Sequence, residues 1–243
     1  MQHQRRGRTA AAALVTVLGA AALAACGSGD DKADAKPSAT RSAPAPAALT
    51  KARLTAASLT EGEAVGPYTA LDPGLDGPFS DDYTAEPDTC QPLVSLKEGT
   101  DRYRAPSAEV NRTLLKPAEI LGATIDVQLR TYADGNAARV MQALTKAGTA
   151  CAAGFTEDRA VAKGKYLKVE TLKAPAVGDE AKAFRFTVLD VKGKIELHRY
   201  LTVVRSGSTT LSFRASTVLP KDIGGVPQAV IDTQWKKFQA AKN

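Results

Sequence analysis

Between residues 183 and 217, apolar and polar side chains alternate closely enough to predict antiparallel strands joined by tight turns. With Lys192-Gly193 as a two-residue turn, Phe184, Phe186 and Val188 share one face with Leu197 and Leu201. For the next turn, a two-residue Ser206-Gly207 loop opposes Val203 to Thr210 and mixes the faces. A three-residue Ser206-Gly207-Ser208 loop opposes Val203 to Leu211 and Leu201 to Phe213, so the apolar residues agree. The three-residue form is therefore expected. It gathers Arg185, Thr187, Glu196, His198, Tyr200, Thr202, Ser212, Arg214 and Ser216 on the other, polar face.

Upstream, residues 108–115 alternate, and Ile125, Val127 and Leu129 alternate with Asp126, Gln128 and Arg130, which predicts two half-buried strands. Residues 166–172 predict another. Ala137, Val140, Met141, Leu144, Ala147 and Cys151 recur at three- and four-residue spacing, the stripe of an amphipathic helix that Asp134 can cap. Shorter helices are expected from Thr50 and over 90–98, the latter with Pro92 in its first turn and Gly99 at its end. A last helix runs from about Pro227, with Ile231, Trp235 and Phe238 on its apolar edge. Residues 66–87 are dense in Gly, Pro and Asp and read as a long irregular loop carrying Tyr68, Phe79 and Tyr83. One greasy sheet face and greasy helix stripes give an α+β fold: an antiparallel meander packed on one face by helices, a two-layer sandwich.

The first 49 residues do not fit that domain. Arg5, Arg6 and Arg8 precede an uncharged apolar run from Ala10 to Ala25, the layout of a secretory signal peptide over 1–25. Arg5-Arg6 leaves both twin-arginine and Sec export open. Leu23-Ala24-Ala25-Cys26 resembles a bacterial lipobox. That resemblance implies lipidation of Cys26, cleavage before it, and a lipid anchor on the extracytoplasmic face of the cell membrane. Residues 26–49 are rich in Ala, Pro, Ser and Asp, lack large apolar side chains, and read as a disordered spacer. Residues 50–243 remain for one domain of roughly 190 residues.

The formal net charge of +6 is partly signal; without residues 1–25 the chain has 29 basic against 26 acidic side chains. Charges of both signs are interspersed and form no basic face, which argues against a nucleic-acid partner. With Cys26 assigned to lipid, Cys90 and Cys151 form an even pair in a compartment that permits disulfides. A bridge closes a loop of about 60 residues; two buried free thiols are the other reading. No Cys-x-x-Cys or histidine cluster points to a metal, and no cofactor motif is present.

On the polar face, Tyr200 is expected opposite both Arg185 and Arg214, and His198 opposite Thr187 and Ser216. Arg185, His198, Tyr200 and Arg214 are the candidate ligand-binding residues, since guanidinium groups hold carboxylate or phosphate in a fork. The same residues also suit the plain wet side of a half-buried sheet. Beyond residues 1–25, His198 is the single histidine, and neither a Gly-x-Ser-x-Gly elbow nor a His-Glu-x-x-His motif occurs. Glu196 and His198 share a face and suit a base with its orienter, or a solvated pair.

Cys90-Gln91-Pro92-Leu93, the strand leading to Tyr132, the Ala-rich helix ending at Cys151, Val177-Gly178-Asp179-Glu180-Ala181 and Val203-Val204-Arg205-Ser206-Gly207 occur in an order that resembles a family. It is the actinobacterial lipoproteins related to the extracellular sensor domain of the PknH serine/threonine kinase. The resemblance implies an α+β domain with helices around a cleft, disulfide-stabilised, binding an unidentified ligand, and carries over no catalytic residue. This chain departs from the kinase sensor domain in having cysteines for one such bridge, not two. The expected function is a non-catalytic ligand-binding or sensor-like lipoprotein, not an enzyme. The alternative is an envelope protein that docks a protein or cell-wall polymer, with a hydrolase third.

Overall fold

The computed structural model describes residues 48–73, 83–117, 119, 122–159 and 162–242. The expected signal over 1–25, Cys26 with its expected lipid, and nearly all of the expected spacer over 26–49 lie outside these residues, as does Phe79. In chain order the elements are α1 (Lys51–Ala57), β1 (Ala64–Val65), β2 (Tyr68–Leu71), β3 (Thr84–Glu86), α2 (Gln91–Glu98), β4 (Ala108–Leu115) and β5 (Thr124–Thr131). Then follow α3 (Asn136–Ala150), β6 (Phe155–Arg159), β7 (Ala162–Leu172), β8 (Glu180–Leu189), β9 (Glu196–Ser206), β10 (Thr209–Ser216) and α4 (Gln228–Lys242). The strands form one antiparallel sheet in the order β1-β2-β4-β5-β10-β9-β8-β7-β6-β3. The α+β class and the antiparallel meander are as expected.

Helix placement differs from a single two-layer sandwich, because helices cover both faces of the sheet. Leu93, Val94 and Leu96 of α2 and Val140, Met141 and Leu144 of α3 pack with Phe184, Phe186, Leu201 and Val203. Leu54 of α1 and Val230, Ile231 and Phe238 of α4 pack with Ile125, Val127, Leu129, Val204, Leu211 and Phe213 on the opposite side. Neighbouring residues Val203 and Val204 therefore serve different cores. Each core covers mainly one half of the sheet, α2 and α3 over β6–β8 and α1 and α4 over β4, β5 and β10.

This two-sided burial overturns the expected second hairpin. Ser206 pairs with Thr209 and Val204 with Leu211, leaving Gly207-Ser208 as a two-residue loop. Gly207 has φ 58°, the positive value that primed hairpin turns require. Agreement of apolar faces was the wrong criterion, since strand β9 is apolar on both. The first hairpin has the expected register, with Val188 opposite Leu197 and Phe184 opposite Leu201. Asp134 does not cap α3; it has φ 52°, and Gly135 occupies the N-cap position. Within residues 66–87, β2 and β3 are short strands, too brief for alternation to show.

Two covalent or polar ties hold the ends of these layers. Cys90, just before α2, is bonded to Cys151, just after α3, with Cα atoms 6.0 Å apart. On the other face, buried Gln234 of α4 donates from Nε2 to the Ala57 carbonyl at 2.7 Å, and its Oε1 accepts from Leu59 N–H at 3.0 Å. One amide thus satisfies two backbone groups at the end of α1 and fastens the first helix to the last. Replacing both cysteines by alanine frees a loop spanning 61 residues and is expected to lower stability by about 4 kcal/mol. Guanidinium unfolding of the variant beside the oxidised protein measures the loss.

Candidate functional site

Two of the candidate residues are engaged by internal partners on the α4 face. Arg185 Nε donates to Glu170 Oε2 at 2.8 Å and Nη1 to Asp222 Oδ2 at 2.6 Å. The Tyr200 hydroxyl donates to Asp222 Oδ1, which also accepts from Gly224 N–H at 2.7 Å. The Tyr200 hydroxyl, the Gly224 amide and Arg185 hold the Asp222 carboxyl below its ordinary range. Burial, then Asp222, pushes the Tyr200 phenol up to about 12. This cluster fastens the segment between β10 and α4 onto β8 and β9. His198 lies opposite Thr187 as expected. Its Nδ1 has no hydrogen-bond partner, and no hydrogen bond or ion pair joins it to Glu196 among the described residues.

Arg214 stands on the other face. Ala215, not Arg214, opposes Tyr200, and Arg199, not His198, opposes Ser216. The sheet therefore separates Arg214 from Arg185, His198 and Tyr200, and the one-residue difference in the second hairpin is the cause.

Arg214 instead lines a cleft of about 350 Å³ on the α3 face, over the half of the sheet that α2 and α3 leave bare. Strands β4 and β5 present Asn111, Thr113, Asp126 and Gln128, while β9 and β10 present Arg199, Arg214 and Ser216. The end of α2, Lys97 to Gly99, forms a wall. Gly99 ends that helix in the left-handed region with φ 75°. Arg214 Nη1 lies 2.1 Å from where a Cβ at Gly99 would stand, so the guanidinium fits under the glycine.

The wall is held by Arg130, whose side chain is 1% exposed. Its Nη2 donates to the Gly99 carbonyl at 2.7 Å and pairs with Asp101 at 3.0 Å; Nη1 donates to the Thr100 carbonyl at 2.9 Å and Nε to Glu109 at 2.9 Å. Nearby, Lys97 is 3% exposed, pairs with Glu98 and, at 2.9 Å, with Glu157. Burial takes its ammonium down to about 7, against the opposing pull of Glu157, and Arg199 and Arg159 add to the lowering.

Arg199 and Arg214 differ from Arg130. Among the described residues neither has an ion-pair partner, and the buried Nε–H of each lacks an acceptor. Burial pulls the Arg214 guanidinium below its ordinary value, with Asp126 opposing. Asp126 accepts from the Thr113 hydroxyl at 2.8 Å, and Gln128 Nε2 donates to Asn111 Oδ1 at 2.9 Å, while Gln128 Oε1 is unsatisfied. The cleft therefore offers two unpaired guanidinium groups, two amides, hydroxyls and a carboxylate. No cluster of three or more metal-ligating side chains occurs among the described residues. Arg199, Asn111, Asp126 and Gln128 were not among the candidates. The legible signal was Arg199, an arginine interrupting the stripe of Leu197, Leu201, Phe184 and Phe186.

No protein-family model matches the chain, and no curated protein matches it in sequence. In structure it is similar to the extracellular domain of PknH from Mycobacterium tuberculosis, with a TM-score of 0.58 and 12% identity over 81% of this chain and 98% of that one. A putative uncharacterized protein of Mycobacterium smegmatis, the Rv0999 ortholog, aligns at a TM-score of 0.33 and 13% identity over 72% of this chain and 83% of that one. The chain thus has the PknH extracellular-domain fold. Among the described residues, no helix is long and apolar enough to cross a membrane.

A Gly99→Ala substitution places a methyl group in the left-handed region and against Arg214, and is expected to cost about 1–2 kcal/mol from the backbone alone, read by chemical denaturation. Lys97 carries a pH signature of defined sign. Its folded pKa of about 7 lies below the ordinary 10.5, so the unfolded chain binds that proton more tightly. The resulting penalty is fully present below about pH 7 and fades as pH rises toward 10.5. Stability relative to Lys97→Met is therefore expected to rise across that window; a difference that stays flat contradicts the assignment.

Proposed function

We propose that the protein is a non-catalytic, lipid-anchored ligand-binding module of sensor-like type, held on the extracytoplasmic face of the membrane. In this reading residues 1–25 are a signal peptide, Cys26 carries the lipid, residues 26–49 are the spacer and residues 50–243 are the binding domain. The single observation that carries the binding function is the cleft between the end of α2 and strands β4, β5, β9 and β10, whose Arg199 and Arg214 lack internal partners. Satisfied buried arginines such as Arg130 hold a fold together, whereas buried donors left open are costly unless something fills them. The likeness of fold to an extracellular domain supports the proposed side of the membrane, and the Leu23-Ala24-Ala25-Cys26 lipobox supports the anchor.

The anchor and the cleft are tested separately. Cys26→Ser is expected to move the protein out of the membrane fraction and abolish incorporation of labelled fatty acid; unchanged fractionation and labelling overturn the anchor. For the cleft, native mass spectrometry of the full chain, purified in mild detergent from its own host, is expected to show an added mass lost on denaturation. The added mass is expected to disappear in Arg214→Gln. A protein that carries no added mass, or one that Arg199→Gln and Arg214→Gln leave unaltered, overturns the cleft as the binding site.

A further inference from the structure

We propose that the cleft takes a small anionic sugar, a sugar phosphate or sugar acid, with its anionic group held between Arg199 and Arg214 and its hydroxyls on Asp126, Gln128 and Asn111. This deepens the reading of the cleft as the ligand site and rests on it.

The charge census around the cleft singles out two groups. Of the four cationic residues lining it, Lys97 is paired with Glu157 and Glu98, and the Arg112 side chain turns to the opposite face of the sheet, where its Nε donates to the Leu59 carbonyl at 2.7 Å. Arg199 and Arg214 are the other two, each with a buried Nε–H that lacks an acceptor. They project from the same face: Arg214 pairs with Leu201 and Ser216 with Arg199 in the ladder of β9 and β10. They are diagonal cross-strand neighbours, whose backbones stand roughly 7–8 Å apart, within reach of one shared group for side chains of this length. Two guanidinium forks on one face, each with an open donor, suit a carboxylate or phosphate placed between them.

A bare anion does not suit the rest of the lining. Asp126 is the cross-strand neighbour of Arg214 on the β5 side, and its carboxylate repels a second negative charge. Glu98, the other carboxylate of the lining, is already paired with Lys97. Asp126 and the unsatisfied Gln128 Oε1 both want donors, and the hydroxyls of a sugar supply them while keeping the anionic group at the arginines. The volume, about 350 Å³, falls at the lower end of ligand pockets, roughly 300–1,000 Å³, and suits a monosaccharide.

The test is a titration of the full chain, labelled with nitrogen-15 in arginine and in the backbone, with glucose 6-phosphate, glucuronate, glucose and inorganic phosphate. The Nε–H signals of Arg199 and Arg214 are expected to shift and saturate with glucose 6-phosphate, glucuronate or both. Whichever of the two binds more tightly identifies the anionic group as phosphate or carboxylate. Glucose and inorganic phosphate are expected to bind more weakly. Arg199→Gln and Arg214→Gln are each expected to weaken binding by about ten- to a hundredfold, and Asp126→Asn to weaken the sugar anion more than inorganic phosphate.

If the backbone amides of Asn111 and Thr113 respond equally to glucose and glucose 6-phosphate while both arginine signals stay fixed, the anion assignment falls and a ligand cleft stands. Inorganic phosphate binding as tightly as glucose 6-phosphate overturns the sugar. No response to any probe, with an added mass still seen by native mass spectrometry, overturns the ligand class alone. No response and no added mass overturn both readings.

Discussion

The cleft exists because one buried guanidinium has all its work to do inside the protein. Arg130 takes the carbonyls of Gly99 and Thr100 and the carboxylates of Asp101 and Glu109. The segment leaving α2 is therefore fixed above strands β4 and β5 instead of lying down on them. A buried arginine is tolerable only when its donors are met, and here meeting them holds a helix end at a set height. Arg214 occupies the space kept open beneath Gly99. The contrast between Arg130, saturated, and Arg199 and Arg214, open, separates the residue that builds the wall from the residues that look onto the cleft.

The wider cause is the way the sheet is covered. Helices α2 and α3 bury one face over β6 to β8, and α1 and α4 bury the opposite face over β4, β5 and β10. Each core leaves the far half of its own face without a helix. On the α3 face that half is polar: Asn111, Thr113, Asp126, Gln128, Arg214 and Ser216 lie there together. Strand β9 is shared by both cores, which is why it is apolar on both faces at Leu201, Val203 and Val204.

Much of this fold is legible in the sequence, and the misplaced parts share one reason. The hairpin from β8 to β9, the α3 stripe and the Gly99 stop follow from local pattern, because period and turn chemistry are local properties, while the Cys90–Cys151 pairing follows from the two cysteines left once Cys26 is set aside. The hairpin from β9 to β10 was misjudged because a strand buried on both sides has no polar face to set its register, and a one-residue slip then moved Arg214 across the sheet. Strand β6 escaped notice because a charged residue, Glu157, fills one of its buried positions, made tolerable by Arg159 on the same strand and by Lys97, which sits far away in sequence. The cleft was hidden for a similar reason. Asp126 and Gln128 look like the wet side of an ordinary strand until the end of α2 is placed above them.

The Gln234 clamp has a directional consequence. By tying α4 to the end of α1, it keeps the first helix on the α4 face, while the cleft opens on the α3 face. The chain thus enters the described domain on the side of the sheet opposite the cleft mouth. The point where the described chain begins and the cleft mouth are thus kept on opposite faces of the sheet, so a ligand can occupy the cleft without touching α1.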